Sequence, residues 1–463
     1  MRVLWLCNVM LPAIAEQWKL EASNKEGWLS GLASVTLRRQ GENGIELAVA
    51  FPAPDALFSA GQKVCRRVVT LQGVDLTCYG FRENTRRPDV YDEALEGMMR
   101  EITDTFRPDV VHCFGTEYPH TLAMCRAFPA KDRLLIGIQG LCAPYAEAYF
   151  ADMPDKAIKT VTLRDFLRRD SLLEQQGKFV RRGKMEKEAV ALAGNVTGRT
   201  AWDRFYTKEW NPKARYFEMN ETLRRDFYGT VWSRDACEAH SIFISQGDYP
   251  LKGLHYVLKA LPAILAVHPD AKVYVAGNCV VRYGTLKQKL KLSGYGKYLR
   301  KLIRENGLQG KVVFLGRLDS ARMKEQYLRS HLYVCCSALE NSPNSLGEAM
   351  LLGMPCVSAD VGGIPSIFTD GEDGILFEGF RSPEDKFHNT RTLNFDGERA
   401  LELISQRLAG AVLKMWEEGE KAEVYCRNAR KHAEKTHDGD RNYSRMTEIY
   451  AEISARSEER IEE

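Results

Sequence analysis

Two glutamates, Glu340 and Glu348, lie eight positions apart in the segment ALENSPNSLGEAM, which covers residues 338–350. This segment follows a strand-like run over 332–336 and leads into a helical pattern over 345–352. Glu340 is therefore expected at the carboxyl end of a strand and Glu348 in the first turn of a helix. Acid–base catalysis by the pair is disfavoured, because nothing places both carboxylates around one scissile bond.

Two interpretations of this turn remain open. A strand–turn–helix junction directs backbone N–H groups and the positive end of a helix dipole at a ligand, which suits a phosphate. The two carboxylates could then accept hydrogen bonds from sugar hydroxyls. In the alternative, Glu340 is a solvated loop acid, and Ser345 forms a capping box with Glu348.

A lysine at a second junction favours ligand binding. The strand-like run 242–245 is followed by a turn at Gly247, and Lys252 opens the next helical pattern. A lysine in this position is well placed to contact a diphosphate, and one such contact at about 4 Å is worth about 4 kcal/mol before desolvation. At a further predicted helix start, Gly27 permits close approach of a ligand to the backbone.

Strand-like and helical segments alternate through the 463-residue chain, which is longer than one hydrophobic core usually serves. The alternation predicts an α/β protein with two doubly wound, Rossmann-like domains, and a ligand site in the cleft between them. We predict an N-terminal domain over 1–235, a C-terminal domain over 236–425, and terminal helices over 426–463 that pack back on the N-terminal domain. The predicted strands are 2–7, 47–51, 109–113, 134–138, 195–197, 242–245, 273–276, 312–315, 332–336, 356–359 and 374–377. The predicted helices are 28–40, 91–105, 120–128, 184–193, 254–267, 296–306, 323–330, 345–352, 400–418, 423–434 and 443–452, and 380–399 is a polar segment.

Composition excludes several classes of protein. The 65 basic and 62 acidic residues give a net charge of +3, which argues against a dedicated nucleic-acid binder. The twelve cysteines show no C-x-x-C pair and no zinc-ligand spacing, so we interpret them as reduced cytosolic thiols. No stretch approaches the roughly 18 apolar residues of a membrane span. Asn8 and Pro12 interrupt the first apolar run, which favours a buried strand over a signal peptide and predicts a cytoplasmic protein.

Several motifs together resemble one known family. RPDVVHCFGTEYPH, SQGDYPLKG and VVFLGRL precede ALENSPNSLGEAMLLGMPCVSADVGGIPS, whose E-x7-E signature and continuation are highly specific. With the first strand and Gly27-Trp28, these motifs make the whole chain resemble the retaining glycosyltransferases of family 4, which have the GT-B fold and use nucleotide sugars. The resemblance implies an N-terminal domain that binds the acceptor and a C-terminal domain that binds the donor.

The resemblance also implies roles for residues of the donor site. Lys252 would stabilise the departing diphosphate and Glu340 would bind hydroxyls of the donated sugar, so these two are the expected catalytic residues. Glu348 would bind the ribose diol, in competition with its capping role. Gly27 would approach the phosphates from the N-terminal domain. The remaining donor contacts would bind the base, the phosphates or the sugar of the nucleotide sugar. They are Gly247, Arg317, Leu318, Asn344, Ser345 and Leu346.

Two features depart from the family's pattern. The turn QGDYPLKG contains Asp248 and no arginine, and Gln139 follows the predicted strand 134–138, where the family often has a histidine. A neutral amide cannot act as a base, so no base–nucleophile pair remains. The family's usual interpretation is front-face attack, in which the departing phosphate helps to deprotonate the acceptor hydroxyl and electrostatic stabilisation carries most of the catalysis. Arg199 is either a replacement cation or an ordinary arginine at a helix start.

The acceptor site is expected among polar side chains at strand ends and loops of the N-terminal domain. The candidates are His112, Glu117, His120, Gln139 and Arg199. No metal site is predicted, because the D-x-D triplet Asp438-Gly439-Asp440 follows a helical segment and no strand, and we interpret it as a loop. We therefore expect a metal-independent enzyme that needs no cofactor.

The expected partners are a UDP-linked sugar donor, by analogy with the family, and a saccharide or lipid-linked saccharide acceptor in the synthesis of cell-surface or exported polysaccharide. Peripheral contact with the inner face of the membrane stays open. Residues 163–184 mix basic residues with Phe166 and Leu167, as interfacial helices do, but the interspersed acids suit a solvated helix. A second segment, 287–301, is rich in lysine.

Rival functions come from two classes. One is a different enzyme on the same fold, such as a nucleotide-sugar epimerase or a phosphorylase. The other is a non-catalytic scaffold protein that binds sugar nucleotides. A nicotinamide oxidoreductase is disfavoured, because no G-x-G-x-x-G motif follows the first strand.

Overall fold

The computed structural model describes residues 1–20, 27–39, 42, 44–281, 284–285, 288, 290–379 and 397–462. The strands are β1 Arg2–Cys7, β2 Glu46–Pro52, β3 Val64–Leu71, β4 Val74–Phe81, β5 Val110–Phe114, β6 Leu134–Gly137, β7 Asn195–Gly198, β8 Arg215–Glu218, β9 Glu238–Ile244, β10 Lys272–Ala276, β11 Val312–Gly316, β12 Ser330–Cys335, β13 Cys356–Asp360 and β14 Ile375–Glu378. The helices are α1 Pro12–Gln17, α2 Gly27–Arg38, α3 Ala94–Phe106, α4 Pro119–Ala127, α5 Cys142–Glu147, α6 Asp155–Ile158, α7 Leu163–Arg168, α8 Leu172–Leu192, α9 Ala201–Trp210, α10 Leu254–Val267, α11 Gly294–Glu305, α12 Ser320–Arg329, α13 Asn344–Leu352, α14 Gly397–Glu417, α15 Glu420–Thr436 and α16 Gly439–Glu462. Most of the predicted polar segment 380–399, Gln40, and parts of 287–301 lie outside the described residues.

The chain divides into two compact units. The first contains Met1–Ala143, Lys178–Arg224 and Thr436–Glu463, and the second contains Pro144–Gly177 and Arg225–Lys435. The boundary near residue 224 lies eleven positions before the predicted one at 235. The division also differs from the prediction at 144–177 and 426–435, which cluster with the second unit.

The first unit is built on an eight-stranded sheet in the order β3-β4-β2-β1-β5-β6-β7-β8. All neighbouring strands are parallel except β3 and β4, which form an antiparallel hairpin at one edge. The central strands β1 and β5 are buried along almost their whole length. The chain runs from β1 to β2 on one side and continues to β5 on the other, so a topological switch point lies between β1 and β5.

The sequence did not reveal the β3–β4 hairpin or the edge strand β8. In β3, Arg66, Arg67, Val68 and Thr70 are exposed while both ends are buried, so its apolar pattern is weak. Strands at the edge of a sheet are half-solvated, and they lack the continuous apolar runs that mark buried parallel strands.

The last helix, α16, packs against α2 and β5 in the first unit. Its Tyr450 hydroxyl accepts a hydrogen bond from Trp5 Nε1 at 2.9 Å and lies 2.7 Å from His112 Nδ1. Trp5 and Tyr450 are both fully buried, so this polar contact fixes the position of α16 inside an apolar environment.

The second unit contains a six-stranded parallel sheet in the order β11-β10-β9-β12-β13-β14. Each of its strands was predicted from a short apolar run, and each is confirmed with its ends shifted by at most two residues, except that β9 begins four residues before the predicted start at 242. The chain passes from β9 to β10 and β11 on one side and then returns to β12 on the other. The switch point therefore lies between β9 and β12.

Residues 144–177 join the second unit through buried polar contacts with α10 and α11. Tyr256 on α10 donates a hydrogen bond to Asp152 at 2.7 Å, and His255 Nε2 lies 2.6 Å from the Ala151 carbonyl. Burying these groups requires partners, and the partners lie far away in sequence. The local pattern of strands and helices does not record such contacts, which is why the predicted boundaries differ from this division.

No helix within the described residues has the length and apolar character needed to cross a bilayer.

Candidate active site

Lys252 and Glu340 meet at the switch point of the second unit. Lys252 ends a short 3-10 turn after β9, and Glu340 lies in the turn after β12, the neighbouring strand. The Lys252 ammonium donates a hydrogen bond to Glu340 Oε1, and Ser337 Oγ donates to the same oxygen at 2.9 Å. The structure thus brings together the two residues that the sequence predicts to be catalytic.

The pair is electrostatically coupled in a largely dry environment. Burial by itself lowers the pKa of Lys252, but the carboxylate of Glu340 and the nearby Tyr249 reverse that effect, so the pKa lies well above its usual value. Burial raises the pKa of the adjacent Tyr145 well above its usual value, and Glu340 raises it further. Lys252 therefore stays a cation at neutral pH, as electrostatic stabilisation of a leaving diphosphate requires.

Two glycines allow the backbone turns that carry this pair. Gly253 has φ of +69°, and a Cβ there would collide with the carbonyl oxygen of Cys336 at the end of β12. Gly362 has φ of +56°, and a Cβ there would collide with the carbonyl oxygen of Glu340. Gly363 N–H donates to that same carbonyl at 3.0 Å. Gly247 instead serves packing, since a Cβ there would lie 2.8 Å from Leu254.

The turn after Glu340 leads into α13, whose first residue is Asn344. Pro343 occupies the N-cap position and no side chain caps the helix, so the alternative of a Ser345–Glu348 capping box is wrong. Ser345 Oγ accepts a hydrogen bond from Tyr333 at 2.8 Å instead. Glu348 is buried and is the fifth residue of α13, so it lies beyond the first turn in which it was predicted. Its carboxylate is therefore not engaged as a cap at the positive end of the helix dipole.

Two neighbours of Ser345 differ in what they offer a ligand. The Leu346 N–H, which was expected to meet phosphate or sugar, donates to the Pro343 carbonyl at 2.9 Å, and its side chain is fully buried. Asn344 Oδ1 is buried and has no hydrogen-bond partner. A buried amide oxygen without a partner costs free energy unless a ligand satisfies it. Asn344 is therefore a stronger candidate for ligand contact than Leu346.

A polar network links the carboxyl ends of β9, β10 and β11. Gln246 and Asn278 both donate to the carboxylate of Asp248, at 2.9 and 2.7 Å, and Arg317 donates to Asn278 Oδ1 at 2.8 Å. Asp248, in the turn where the resemblance implies an arginine, is therefore the acceptor at the centre of this network. Leu318 follows Arg317 and is half-buried. Sequence reasoning missed Asn278, which has no motif of its own and is recognised only by its position after β10.

In the first unit, Gly27 begins α2, as predicted. A Cβ at Gly27 would lie 2.6 Å from Arg224 Cγ, and one at Gly31 would lie 2.6 Å from the carbonyl oxygen of Leu223. The start of α2 therefore packs closely on residues 222–224. At Gly27, the atoms that an added Cβ would meet belong to the flexible side chain of Arg224.

Three acceptor candidates lie after strands near the switch point of the first unit. His120 follows β5, where Nε2 lies 3.0 Å from Asn8 Oδ1 and Nδ1 lies 2.8 Å from Glu83 Oε2. Glu117 also follows β5, and burial raises the pKa of its carboxyl, whose Oε2 has no hydrogen-bond partner. Gln139 follows β6.

Glu186 on α8 extends this cluster and was not found from the sequence. Thr116 donates to its Oε1 at 2.6 Å and the Ala143 N–H donates to its Oε2 at 3.0 Å. Burial raises the pKa of Glu186 to about 8. Only the packing of α8 reveals it, because a glutamate in a long helix of mixed charge has no distinguishing pattern in sequence.

The position predicted for His112 is wrong, whereas a second candidate, Arg199, follows β7 as predicted. His112 is the third residue of β5 and not a strand end; burial lowers its pKa to about 3. Its proximity to Tyr450 makes it part of the core. Arg199 is also buried, and its guanidinium donates to Glu221 at 2.7 Å, so its charge is compensated within the first unit. Arg199 is therefore not an uncompensated replacement cation.

The D-x-D triplet is not a loop, because Gly439 and Asp440 begin α16. Asp438 accepts a hydrogen bond from the Arg441 N–H at 2.8 Å, and Asp440 pairs with Arg38 at 2.7 Å. These contacts explain both acids as helix-terminal groups.

Among the described residues, one group of three side chains could supply metal ligands, namely His240, His268 and Asp270. The two imidazole rings stack, with centroids 4.0 Å apart and planes 28° apart. Ring nitrogens direct their lone pairs in the plane of the ring, so stacked imidazoles are poorly arranged to share one ion. His240 Nδ1 lies 2.9 Å from Asp270 Oδ2, a contact that satisfies both groups without a metal.

A family comparison identifies the part of the chain that carries the donor-site candidates. The family model for glycosyl transferases group 1 matches residues 238–391. These residues therefore resemble a group 1 glycosyltransferase domain, and we call them the glycosyltransferase domain. The glycosyltransferase domain includes Lys252, Arg317, Glu340 and Glu348, the residues that the sequence assigns to the donor.

Curated relatives of this glycosyltransferase domain match over a limited length. N-acetyl-alpha-D-glucosaminyl L-malate synthase of Bacillus anthracis is 34% identical over 164 residues, which are 35% of this chain and 37% of that protein. Phosphatidyl-myo-inositol mannosyltransferase of Mycolicibacterium smegmatis is 29% identical over 137 residues, which are 29% of this chain and 31% of that protein. The chain thus spans about a third of the length of the curated relatives it matches.

Solved structures match the chain over nearly its whole length. The crystal structure of Anabaena Alr3699/HepE in complex with UDP has a TM-score of 0.59 and 15% identity, and covers 98% of this chain and 100% of that one. At such identity the likeness shows the fold alone. The glycosyltransferase domain and the first unit thus have the two Rossmann-like parallel sheets of a GT-B protein, which confirms the predicted fold class.

Proposed function

We propose that this protein is a retaining glycosyltransferase of family 4, which transfers a sugar from a nucleotide sugar to a hydroxyl acceptor. The observation that carries the proposal is the Lys252–Glu340 pair at the switch point of the second unit. Ligands of parallel α/β sheets bind at such points. The family match over 238–391 and the transferases among the relatives support this reaction over an epimerase, a phosphorylase or a scaffold.

The donor would place its diphosphate at Lys252 and its sugar at Glu340. The ammonium keeps its proton because Glu340 and Tyr249 raise its pKa, so it supplies a fixed positive charge. Asn344, whose buried Oδ1 lacks a partner, would accept a hydrogen bond from a hydroxyl of the sugar at the start of α13. Glu348, the fifth residue of α13, would accept hydrogen bonds from the ribose diol.

The pairing of Glu340 favours front-face attack over a covalent intermediate. Its Oε1 already accepts hydrogen bonds from Lys252 and Ser337, which weakens the carboxylate as a nucleophile. In the proposed step, the acceptor oxygen bonds to the anomeric carbon while the bond from that carbon to the diphosphate breaks on the same face. The hydroxyl proton passes to the departing phosphate oxygen, and Lys252 stabilises the charge of the nucleoside diphosphate.

We propose a UDP-linked donor and a metal-independent reaction. The UDP assignment rests on the resemblance and on HepE, whose structures contain UDP or UDP-glucose. Lys252 supplies charge where other transferases use a divalent ion. The acceptor would be a saccharide or a lipid-linked saccharide in the synthesis of surface or exported polysaccharide. Its hydroxyl would be recognised by Glu117, His120 and Gln139 of the first unit.

Thermal-shift measurements with UDP, GDP and ADP in the presence of EDTA test the donor site. Stabilisation by UDP in the wild type, lost in Lys252→Ala and Glu348→Gln, is the expected result. Lys431→Ala on α15 is the matched control, because Lys431 is exposed and remote in sequence from the donor motifs. Stabilisation by GDP or ADP alone would correct the nucleotide, whereas no shift with any nucleotide would contradict the proposed donor site.

A further inference from the structure

Helix α7 of the second unit exposes a run of large apolar side chains. Phe166 and Leu167 are 72% and 71% exposed, and Leu163 and Val161 are also exposed. Single exposed apolar residues are ordinary on protein surfaces, but several within one six-residue helix and its preceding turn form a patch. Arg168 extends the helix on its exposed side, and it forms no ion pair with any described residue.

Hydrogen bonds to α11 hold this helix in place. Thr162 and Asp165 form a capping box at the start of α7. Asp165 also accepts a hydrogen bond from the Gly294 N–H at 2.7 Å, and Thr162 donates to the Leu292 carbonyl at 2.8 Å. Phe166 and Leu167 are therefore exposed on a helix that is held in place. Leaving their apolar surfaces in water costs free energy, which a partner that covers them would recover.

Helix α11 carries a row of basic side chains beside this patch. Lys297, Arg300, Lys301 and Arg304 recur at the helical period, and all four line a cavity of about 780 Å³. Lys156 and the apolar side chains of Leu163, Leu290 and Leu292 line it too, and Glu398 is the acid among its lining residues. Lys156, Lys297 and Arg304 form no ion pair with any described residue.

The acids that suggested an ordinary solvated helix are already compensated. Arg164 pairs with Asp165 at 2.8 Å and with Asp170 at 3.0 Å. Glu305 pairs with Lys301 at 3.8 Å and Glu398 lines the cavity, but the five basic side chains of the lining outnumber these two acids, so the net charge of this surface is positive. We define the α7–α11 surface by its apolar residues Val161, Leu163, Phe166 and Leu167 and its basic residues Lys156, Lys297, Arg300, Lys301 and Arg304.

We propose that the α7–α11 surface docks the protein on a bilayer that contains anionic phospholipid. Its exposed apolar side chains would enter the boundary between headgroups and acyl chains, while the basic side chains would meet lipid phosphates. A free phosphate would use the cations but would leave Phe166 and Leu167 in water, so the combination of both features favours a lipid surface. The docking does not depend on the transfer reaction, although it would bring the protein to a lipid-linked acceptor.

Vesicle sedimentation of the full chain, without any donor, tests this proposal. The wild type is expected to bind vesicles of phosphatidylglycerol and phosphatidylcholine, and not vesicles of phosphatidylcholine alone, at roughly 0.1 M salt. Two double variants, Phe166→Ser/Leu167→Ser and Lys297→Glu/Arg304→Glu, are each expected to lower binding by at least about tenfold.

The controls change equally exposed residues elsewhere. Val231→Ser removes an apolar side chain that is 61% exposed, and Lys208→Glu/Lys213→Glu reverses two exposed lysines of the first unit; both should bind vesicles like the wild type. An unchanged melting temperature without nucleotide shows that the docking variants are folded, so failure of docking and failure of the donor site are separable. Wild-type protein that ignores anionic vesicles, or double variants that bind normally, would overturn the proposal. One further result would overturn the proposal. In it, inorganic phosphate raises the melting temperature through the basic side chains, Phe166→Ser/Leu167→Ser keeps this shift, and vesicles are not bound.

Discussion

The Lys252 ammonium and the Glu340 carboxylate form an ion pair across the carboxyl ends of β9 and β12, although 88 positions separate them in sequence. Both side chains are largely withdrawn from water, with 19% and 11% of their surfaces exposed. The contact requires β12 to return beside β9 after two intervening strands have joined the other side of the sheet. It therefore links the topology of the second unit to its proposed chemistry.

Replacing Lys252 by alanine is expected to lower turnover by on the order of 10² to 10³, or about 3–4 kcal/mol, since it removes one preorganised charge from the leaving group. Turnover should be measured as release of nucleoside diphosphate at saturating donor. Lys431→Ala should retain wild-type turnover. A loss smaller than about threefold in a folded Lys252→Ala preparation would remove this residue from the mechanism.

Replacing Gly253 by alanine should destabilise the second unit by about 2–5 kcal/mol. The positive φ contributes about 1–2 kcal/mol, and the collision with the Cys336 carbonyl adds about 1–3 kcal/mol. Gly307→Ala is the matched control, because Gly307 has φ of +63° and no atom within 4 Å of the added Cβ. Chemical denaturation should show the larger loss at Gly253; equal losses would mean that the close approach to β12 is unimportant.

Because of Glu186, the free energy of unfolding should fall as the pH rises from about 4.5 to about 8. Burial raises the folded-state pKa from 4.5 to about 8, so the folded protein keeps a proton that the unfolded chain releases across this window. That stabilisation is complete below the lower pH and is lost as the pH passes through the folded-state pKa. Glu186→Gln cannot release a proton there, and its unfolding free energy should fall less steeply with pH.

The matched control for this titration is Glu188→Gln, two positions further along α8, because Glu188 is exposed and pairs with Arg126 on the surface. It should keep the wild-type dependence over the same pH range. Parallel curves for the wild type and Glu186→Gln would show that Glu186 ionises in the folded protein as it does in the unfolded chain.

Transfer activity should persist in excess EDTA. Lys252 is proposed to provide the positive charge at the diphosphate, so chelation removes nothing that the step uses. Activity should be assayed after prolonged incubation with chelator and again after addition of manganese or magnesium. Loss with EDTA that either ion restores would show that a metal is required.

Buried parallel strands were the most predictable part of the fold. Strands such as β1, β10 and β12 are apolar on both faces, so each appears as a short continuous apolar run. The edge strand β3 of the hairpin lacked this signal because half of its residues face solvent. The boundary of residues 144–177 was also hidden, since it depends on a few buried contacts such as Tyr256 with Asp152.

The structure brings two donor-site candidates together, whereas it places two acceptor-site candidates in contacts within the first unit. Lys252, Glu340 and Glu348 belong to motifs with characteristic spacing on the glycosyltransferase domain. His112 and Arg199 were singled out by residue type and approximate location, and both proved to be buried in structural contacts. Polar residue types alone do not distinguish a binding group from a satisfied core group.

The sequence by itself determined the alternation of strands and helices, the two parallel sheets and the junctions that carry Lys252 and Glu340, because local apolar periodicity and turn chemistry encode these features. Only the tertiary structure decided which side chains meet. Lys252 with Glu340, Tyr450 with His112, and Asp165 with Gly294 each join residues that are distant in sequence. Their burial and ionisation depend on packing between elements, which no local pattern records.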